Sequence, residues 1–425
     1  MRSSRVTFCA YDKPDNVGGP PAWLQRLLPH LRTQGFQVKC LILLHHGQSG
    51  PTVEYFRRAG VPCRVCLAQS TTEERIEWIL QQLREDPPDV FVPNLVVAAY
   101  WAARWIRASG IPTVGILHSD DPFYRALQER FVFGEPDFRV DALVVVSKQL
   151  ENEVKGKLPD STRIERIGYG VPIPEAVRVS NQGILRICYV GRFAEEQKRI
   201  SDVTRAICRA VNEVPDCEAV LYGDGPDRNK VEAVLAAQTA HLPVSIGGLV
   251  DSNQIQELLL GFDVIVLLSD YEGLPIALME AMACGCVPVC TRMKSGIPEL
   301  VSHGENGLLV DDRGDEFVAA IRQLAYNRDL LNRLSVAARQ RIVNAKLSTD
   351  ACGRLWENLL KDLHATAFTK NPIRIPRKFK LGPVHPDLAS ADVRQVVVPG
   401  WLRCFRRSRI WAGRVRRQLL GQLNS

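Results

Sequence analysis

The chain has 425 residues, 46% hydrophobic and 24% charged. At about 100–200 residues per domain, this predicts two or three soluble globular domains and excludes a collagen-like, disulfide-framework or wholly disordered protein. The net charge of +7 is uneven: residues 370–425 hold 13 Lys and Arg against Asp387 and Asp392, a net of +11, which leaves −4 for the rest. The basic character therefore belongs to a tail.

Twelve cysteines are spread from Cys9 to Cys404, several of them inside apolar runs. That is the usage of reduced, buried thiols in a cytoplasmic protein. Cys63 and Cys66 form a C-x-x-C with no second pair at metal-ligand spacing, so no metal is expected. The opening MRSSRVTFCAYDK has no small-residue cleavage site, and no apolar stretch approaches 18 residues. Neither a signal peptide nor a membrane-spanning helix is expected.

In chain order, β-branched runs predict strands at 5–11, 38–44, 64–67, 89–93, 113–118 and 142–147. Helix-period stretches at 22–34, 73–85 and 100–109 lie between them. The run Gly168-Tyr169-Gly170-Val171-Pro172-Ile173-Pro174 and the polar stretch after it read as a linker. The alternation then restarts, with strands at 186–190, 219–222, 244–246, 264–268 and 287–290. Helices are expected at 201–214, 228–240, 252–260 and 275–283, and a long helical stretch over 316–363. Strand, helix, strand throughout predicts an α/β protein of two facing, doubly wound, Rossmann-like domains with parallel sheets.

The expected division is a first domain over 1–170, a linker over 171–185 and a second domain over 186–345. A C-terminal helix over 346–369 is expected to cross back to the first domain, and a basic tail follows over 370–425. Residues 370–400 are rich in Pro and basic side chains and read as poorly ordered. Residues 401–420, WLRCFRRSRIWAGRVRRQLL, carry seven arginines and no acid among aromatic and aliphatic residues. They read as a basic interfacial helix on an anionic membrane surface, or else as a solvated tail.

The most informative segment is Asp270-Tyr271-Glu272-Gly273-Leu274-Pro275, followed by Ile276–Gly285 with Glu280 at its centre. Gly273 permits close backbone approach and Pro275 suits the first turn of a helix, whose free amides attract an anion. Read as one helix, Glu272 and Glu280 stand about 10 Å apart along the axis. That is too far for the roughly 5 Å carboxylate pair of a retaining hydrolase, and it suits two grips on an elongated ligand. A second feature is Val190-Gly191-Arg192 with Lys198, a guanidinium and an ammonium just after a strand, which suits a diphosphate or else forms a solvated basic loop. His118 ends a first-domain strand.

These residues resemble the retaining glycosyltransferases of family 4, which have the GT-B fold. Glu272–Glu280 resembles that family's E-x7-E signature, and Arg192 with Lys198 its diphosphate pair. Gly223-Asp224-Gly225-Pro226, Ser295–Glu299 and Gly304–Val310 match in order and position. The resemblance implies that Glu280 binds the ribose of a nucleoside-diphosphate sugar. It also implies that Glu272, with the amides of Gly273 and Leu274, holds the transferred sugar, and that Gly191, Arg192 and Lys198 meet the diphosphate. His118 would be the cleft histidine facing the sugar. Gly18 and Gly19 resemble the glycine loop after the first strand, although Pro20 and Pro21 offer no N–H. With no D-x-D, no cofactor or metal is expected, and Arg192 and Lys198 take the charge that develops as the glycosidic bond breaks.

The expected function is thus metal-independent, retaining transfer of a sugar to a glycan, lipid-linked or small-molecule hydroxyl. The protein would be cytoplasmic or peripheral on the inner face of the membrane, with no specific nucleic-acid partner. Alternatives are a nucleotide-sugar 2-epimerase, or a catalytically weak protein of this fold that binds membrane or nucleic acid through its tail.

Overall fold

The computed structural model describes residues 3–14, 18–45, 47–67, 71–159, 162–178, 183–238, 242–251, 254–365 and 371–394. The segment 401–420 read as an interfacial helix lies outside the described residues.

Seven strands build the first half: β1 (Arg5–Asp12), β2 (Gln37–Leu44), β3 (Cys63–Leu67), β4 (Val90–Val92), β5 (Val114–Leu117), β6 (Ala142–Val145) and β7 (Arg163–Arg166). They run in the order β3-β2-β1-β4 and β5-β6-β7, and a parallel bridge between Phe91 and Thr113 links β4 toward β5. The second half holds β8 (Leu185–Val190), β9 (Cys217–Tyr222), β10 (Val244–Gly248), β11 (Val264–Leu267), β12 (Val287–Thr291) and β13 (Leu308–Val310) in the order β10-β9-β8-β11-β12-β13. Every pairing among these strands is parallel. The central strands are buried on both faces, β6 as Ala-Leu-Val-Val and β11 as Val-Ile-Val-Leu, the continuous apolar pattern of a sheet covered by helices on each side.

The strand order reverses between β1 and β4 in one sheet and between β8 and β11 in the other. At such a switch point the flanking connections leave in opposite directions and open a crevice at the carboxyl ends. Gly18–Gly19 follows β1, and Gly191–Lys198 follows β8.

The long stretch over 316–363 is three helices, Asp315–Tyr326, Arg328–Asn344 and Thr349–Ala365. Asn327 ends the first and caps the second by accepting from Leu330 N at 2.9 Å. Lys346, at φ 55°, turns the chain into the third. The strands β7 and β13 and the helices Pro51–Arg58, Pro122–Phe131 and Lys148–Val154 are not among the elements expected from sequence.

The third of those helices crosses back. Val171 bridges Ser348, and Trp356 lies 5.7 Å from Trp23 and 6.1 Å from Phe8, ring centre to ring centre. His30 Nε2 and Glu357 Oε1 are 3.0 Å apart. Residues 371–394 correct the expectation of a poorly ordered segment, because they pack on the first half. Ile373, Leu388 and Ala391 are buried, and Phe379 sits edge-on to Trp105 at 5.2 Å. Trp101 Nε1 donates to buried Asp392 at 3.1 Å, and Arg394 grips the same carboxylate while lying over the Trp101 ring. Composition suggested disorder because Pro and basic residues dominate, but a few apolar side chains and one paired Asp suffice to hold an extended strap.

Candidate functional site

The helix Gly19–Thr33 starts with two prolines in its first turn, where the missing N–H groups would have had no helical partner anyway. The helix Ile276–Cys284 starts after Pro275, which sits at the N-cap position rather than inside the first turn. Gly19 faces Ile276: a Cβ there would lie 3.3 Å from Ile276 Cδ1. The two helix starts therefore lie against each other, each an N-terminus of the kind that favours a nearby anion.

Glu272 lies in the loop four residues before that helix begins. Helical rise therefore does not set its separation from Glu280, which corrects the 10 Å argument. Both carboxylates are buried. Lys198 Nζ donates to Glu272 Oε1, and Gln197 Nε2 donates to Tyr271 O at 3.1 Å and approaches Glu272 Oε2 at 3.5 Å. Lys198 ends a short helix, and Arg199, in the left-handed region at φ 51°, then starts Ile200–Glu213. The tight turn is what delivers Lys198 to the carboxylate.

Arg192 is exposed and makes no ion pair among the described residues; its carbonyl accepts from Tyr189 OH at 3.1 Å. Gly191 donates its N–H to Tyr222 O at 3.0 Å. The Gly223–Pro226 loop closes on this segment: a Cβ on Gly223, at φ 145°, would stand 1.9 Å from Gly191 O. The glycine is required by that approach.

Glu280 is reached from the other half of the molecule. Arg26, on the Gly19–Thr33 helix, donates through Nη2 to Glu280 Oε1. Burial raises the Glu280 carboxyl above its ordinary value, and the Arg26 guanidinium pulls it back. Sequence reasoning missed Arg26, since one arginine among several on an amphipathic helix carries no signal of its partner 254 residues away.

His118 follows β5 and is buried. Asn94 Nδ2 donates to Cys9 O at 3.2 Å, which turns its Oδ1 toward His118 Nε2 at 2.8 Å. Nε2 therefore carries the proton, and Nδ1 accepts from Tyr169 OH at 2.6 Å. Burial drops the imidazole pKa to about 3. Both nitrogens are occupied, so the ring does not stand open to a sugar as the resemblance implied. What His118 presents at the cleft is its carbonyl: a Cβ on Gly273 would lie 2.0 Å from His118 O. Gly273 O in turn accepts from Gly296 N at 2.8 Å. Leu274, expected to offer its amide, is buried against this contact.

The remaining motifs hold the chain together. Glu299 accepts from Gln149 N at 3.0 Å, tying the two halves, and Asn306 closes its own loop through Ser302 N and Leu300 O, both at 2.7 Å. Cys63 and Cys66 lie on the edge strand β3. Among the described residues no helix is long and apolar enough to cross a membrane.

Two family profiles match the chain: Glycosyltransferase Family 4 over residues 17–173 and Glycosyl transferases group 1 over residues 176–341. Among curated proteins, the chain is 36% identical over 114 residues to N-acetyl-alpha-D-glucosaminyl L-malate synthase of Bacillus anthracis, which covers 27% of this chain and 29% of that protein. It is 26% identical over 370 residues to GDP-mannose-dependent alpha-mannosyltransferase of Mycolicibacterium smegmatis, 80% of this chain and 92% of that one. Among solved structures, Anabaena HepE in complex with UDP superposes with a TM-score of 0.65 at 16% identity, over 84% of this chain and 100% of the other. That likeness shows the shared fold: two facing Rossmann-like halves of GT-B type.

Proposed function

From the premise that this chain belongs to the family 4 and group 1 glycosyltransferases, we propose that it moves a sugar from a nucleoside-diphosphate sugar to an acceptor hydroxyl, with retention and without a metal. The observation that carries this reading is the pairing of Lys198 with Glu272 just before the Ile276–Cys284 helix, whose Glu280 meets Arg26 of the Gly19–Thr33 helix. In the reaction the bond from the anomeric carbon to the diphosphate oxygen breaks and its electron pair stays on that oxygen. Negative charge thus grows where Arg192 and Lys198 stand, and fixed cations lower the barrier most where charge develops. In the ligand-free arrangement Lys198 is neutralised by Glu272, and an incoming diphosphate competes for it. Glu272, released toward the sugar hydroxyls, then grips the group being transferred. Glu280 accepts from the ribose. His118, closed off by Asn94 and Tyr169, acts through its backbone carbonyl, which packs against Gly273 and so fixes the loop that carries Glu272.

The name of the Anabaena structure makes UDP the first nucleotide to try. A donor screen measuring nucleotide release from UDP-, GDP- and ADP-sugars, with EDTA present, tests the proposal. Release by one class, undiminished by EDTA and giving an anomer of retained configuration by NMR, is the expected result. Release that EDTA abolishes and Mg²⁺ or Mn²⁺ restores would remove the metal-free role of Arg192 and Lys198, and an inverted anomer would remove the retaining assignment.

A further inference from the structure

We propose that Arg26, contributed by the first half of the molecule, is a positioning residue of the donor site: it holds Glu280 Oε1 so that Oε2 faces the ribose of the nucleotide. The inference rests on the proposed function and adds a residue that the sequence motifs do not contain. Its geometry is an ion pair between Arg26 Nη2 and Glu280 Oε1, with side chains only 12% and 7% exposed. Oε2 takes no hydrogen bond from any described residue. A monodentate clamp of this kind fixes the carboxylate plane and leaves the second oxygen as a charged acceptor, which is what two ribose hydroxyls require.

The placement is unusual for a simple surface pair. A buried carboxylate without a cation would favour its protonated form, losing one lone-pair face and the charge that strengthens its hydrogen bonds. The groups about Glu280 are few. Arg26 comes from the Gly19–Thr33 helix. Cys284 lies one turn along the same helix as Glu280, its thiol pushed up to about 12 by burial and so neutral. Arg339 stands beyond Cys284, its guanidinium spent on Ala283 O and Pro174 O. Arg26 is thus the cation that keeps Glu280 ionised. Because it sits on the opposite half, the ribose grip is complete only while the two halves are docked, which links donor binding to closure of the cleft.

The experiment is calorimetric titration of UDP, GDP and ADP into the full-length wild-type protein and the R26K, R26A and E280Q variants, each at about pH 8 and about pH 6, both above the ordinary carboxylate range. The wild type is expected to bind one diphosphate. R26A should bind it about tenfold more weakly at the higher pH and about a hundredfold more weakly at the lower, as Glu280 protonates. R26K should recover most of the affinity at the higher pH. E280Q should be weak, with a loss relative to the wild type that is the same at both pH values. A wild-type protein that binds no nucleoside diphosphate would remove the proposed function and this inference with it. Binding by the wild type together with wild-type affinity in R26A, or an equal loss at both pH values, would overturn the role of Arg26 alone.

Discussion

At the scale of single residues, the protein pairs all but one of its proposed ligand-binding charges with a partner of its own before any ligand arrives: Lys198 with Glu272, Glu280 with Arg26. Arg192 has none among the described residues. Truncating Arg192 or Lys198 to Ala should therefore lower kcat by about 10²–10³, because the charge they meet develops in the transition state. Glu280→Ala should mainly raise the donor KM, since a ribose contact is roughly uniform along the reaction. Steady-state kinetics on the active donor separates the two cases, and changes in KM alone for all three would contradict this division. His118 makes a prediction of a different kind. Its pKa falls to about 3 in the folded protein against about 6.5 unfolded. The unfolded chain thus takes up a proton first, so the stability tied to the neutral ring is full above about pH 6.5 and is lost as pH falls toward 3. Urea unfolding of wild type and His118→Gln should show a gap that narrows by up to about 2 kcal/mol between pH 7 and pH 5. A gap independent of pH would mean the ring is not held neutral.

At the scale of elements, the cleft depends on backbone approaching backbone. Gly273 tolerates no Cβ because His118 O is 2.0 Å from where it would be, and the Gly296 N–H donated to Gly273 O at 2.8 Å locks the same loop. Gly273→Ala should keep the far-UV circular dichroism of the wild type and lower kcat/KM by at least about tenfold, since a misplacement of about 1 Å is costly to positioned chemistry. Gly183→Ala, whose Cβ meets nothing within 4 Å, is the control. Unchanged kcat/KM in Gly273→Ala would show that the loop moves freely. The strap 371–394 is the second element with a clear test. Asp392 is buried and accepts from both Trp101 and Arg394. Asp392→Ala leaves the indole N–H without its acceptor and should cost about 1–3 kcal/mol, read as a lower urea midpoint at unchanged slope.

At the scale of the whole molecule, two halves built on parallel strands are joined, and a returning helix and a strap bind the C-terminal part to the first half. The strap also changes how the basic tail must be tested. Ending the chain before residue 371 would strip Ile373, Leu388 and Asp392 from the first half and confuse loss of fold with loss of the tail. The proper comparison is the full chain against one ending at Arg394. Seven arginines over 401–420 at about 1 kcal/mol each near an anionic surface should bring only the full chain up with anionic liposomes at low salt. Equal flotation of both, or of neither, would discard the membrane reading.

Sequence alone determined the repeated strand–helix alternation, the strands within a residue or two, and the motifs around Arg192, Lys198, Glu272 and Glu280. These are local: period, turn residues and spacing are written in contiguous segments. It did not determine β7, β13 or the breaks at Asn327 and Lys346, where short elements carry too few residues for a period to register. Nor did it determine that His118 is closed off by Asn94 and Tyr169, that residues 371–394 are packed, or that Arg26 meets Glu280. Each of those depends on which distant segments the two sheets bring together. A side chain's hydrogen-bond partners and desolvation are set by that three-dimensional neighbourhood, which no local pattern contains.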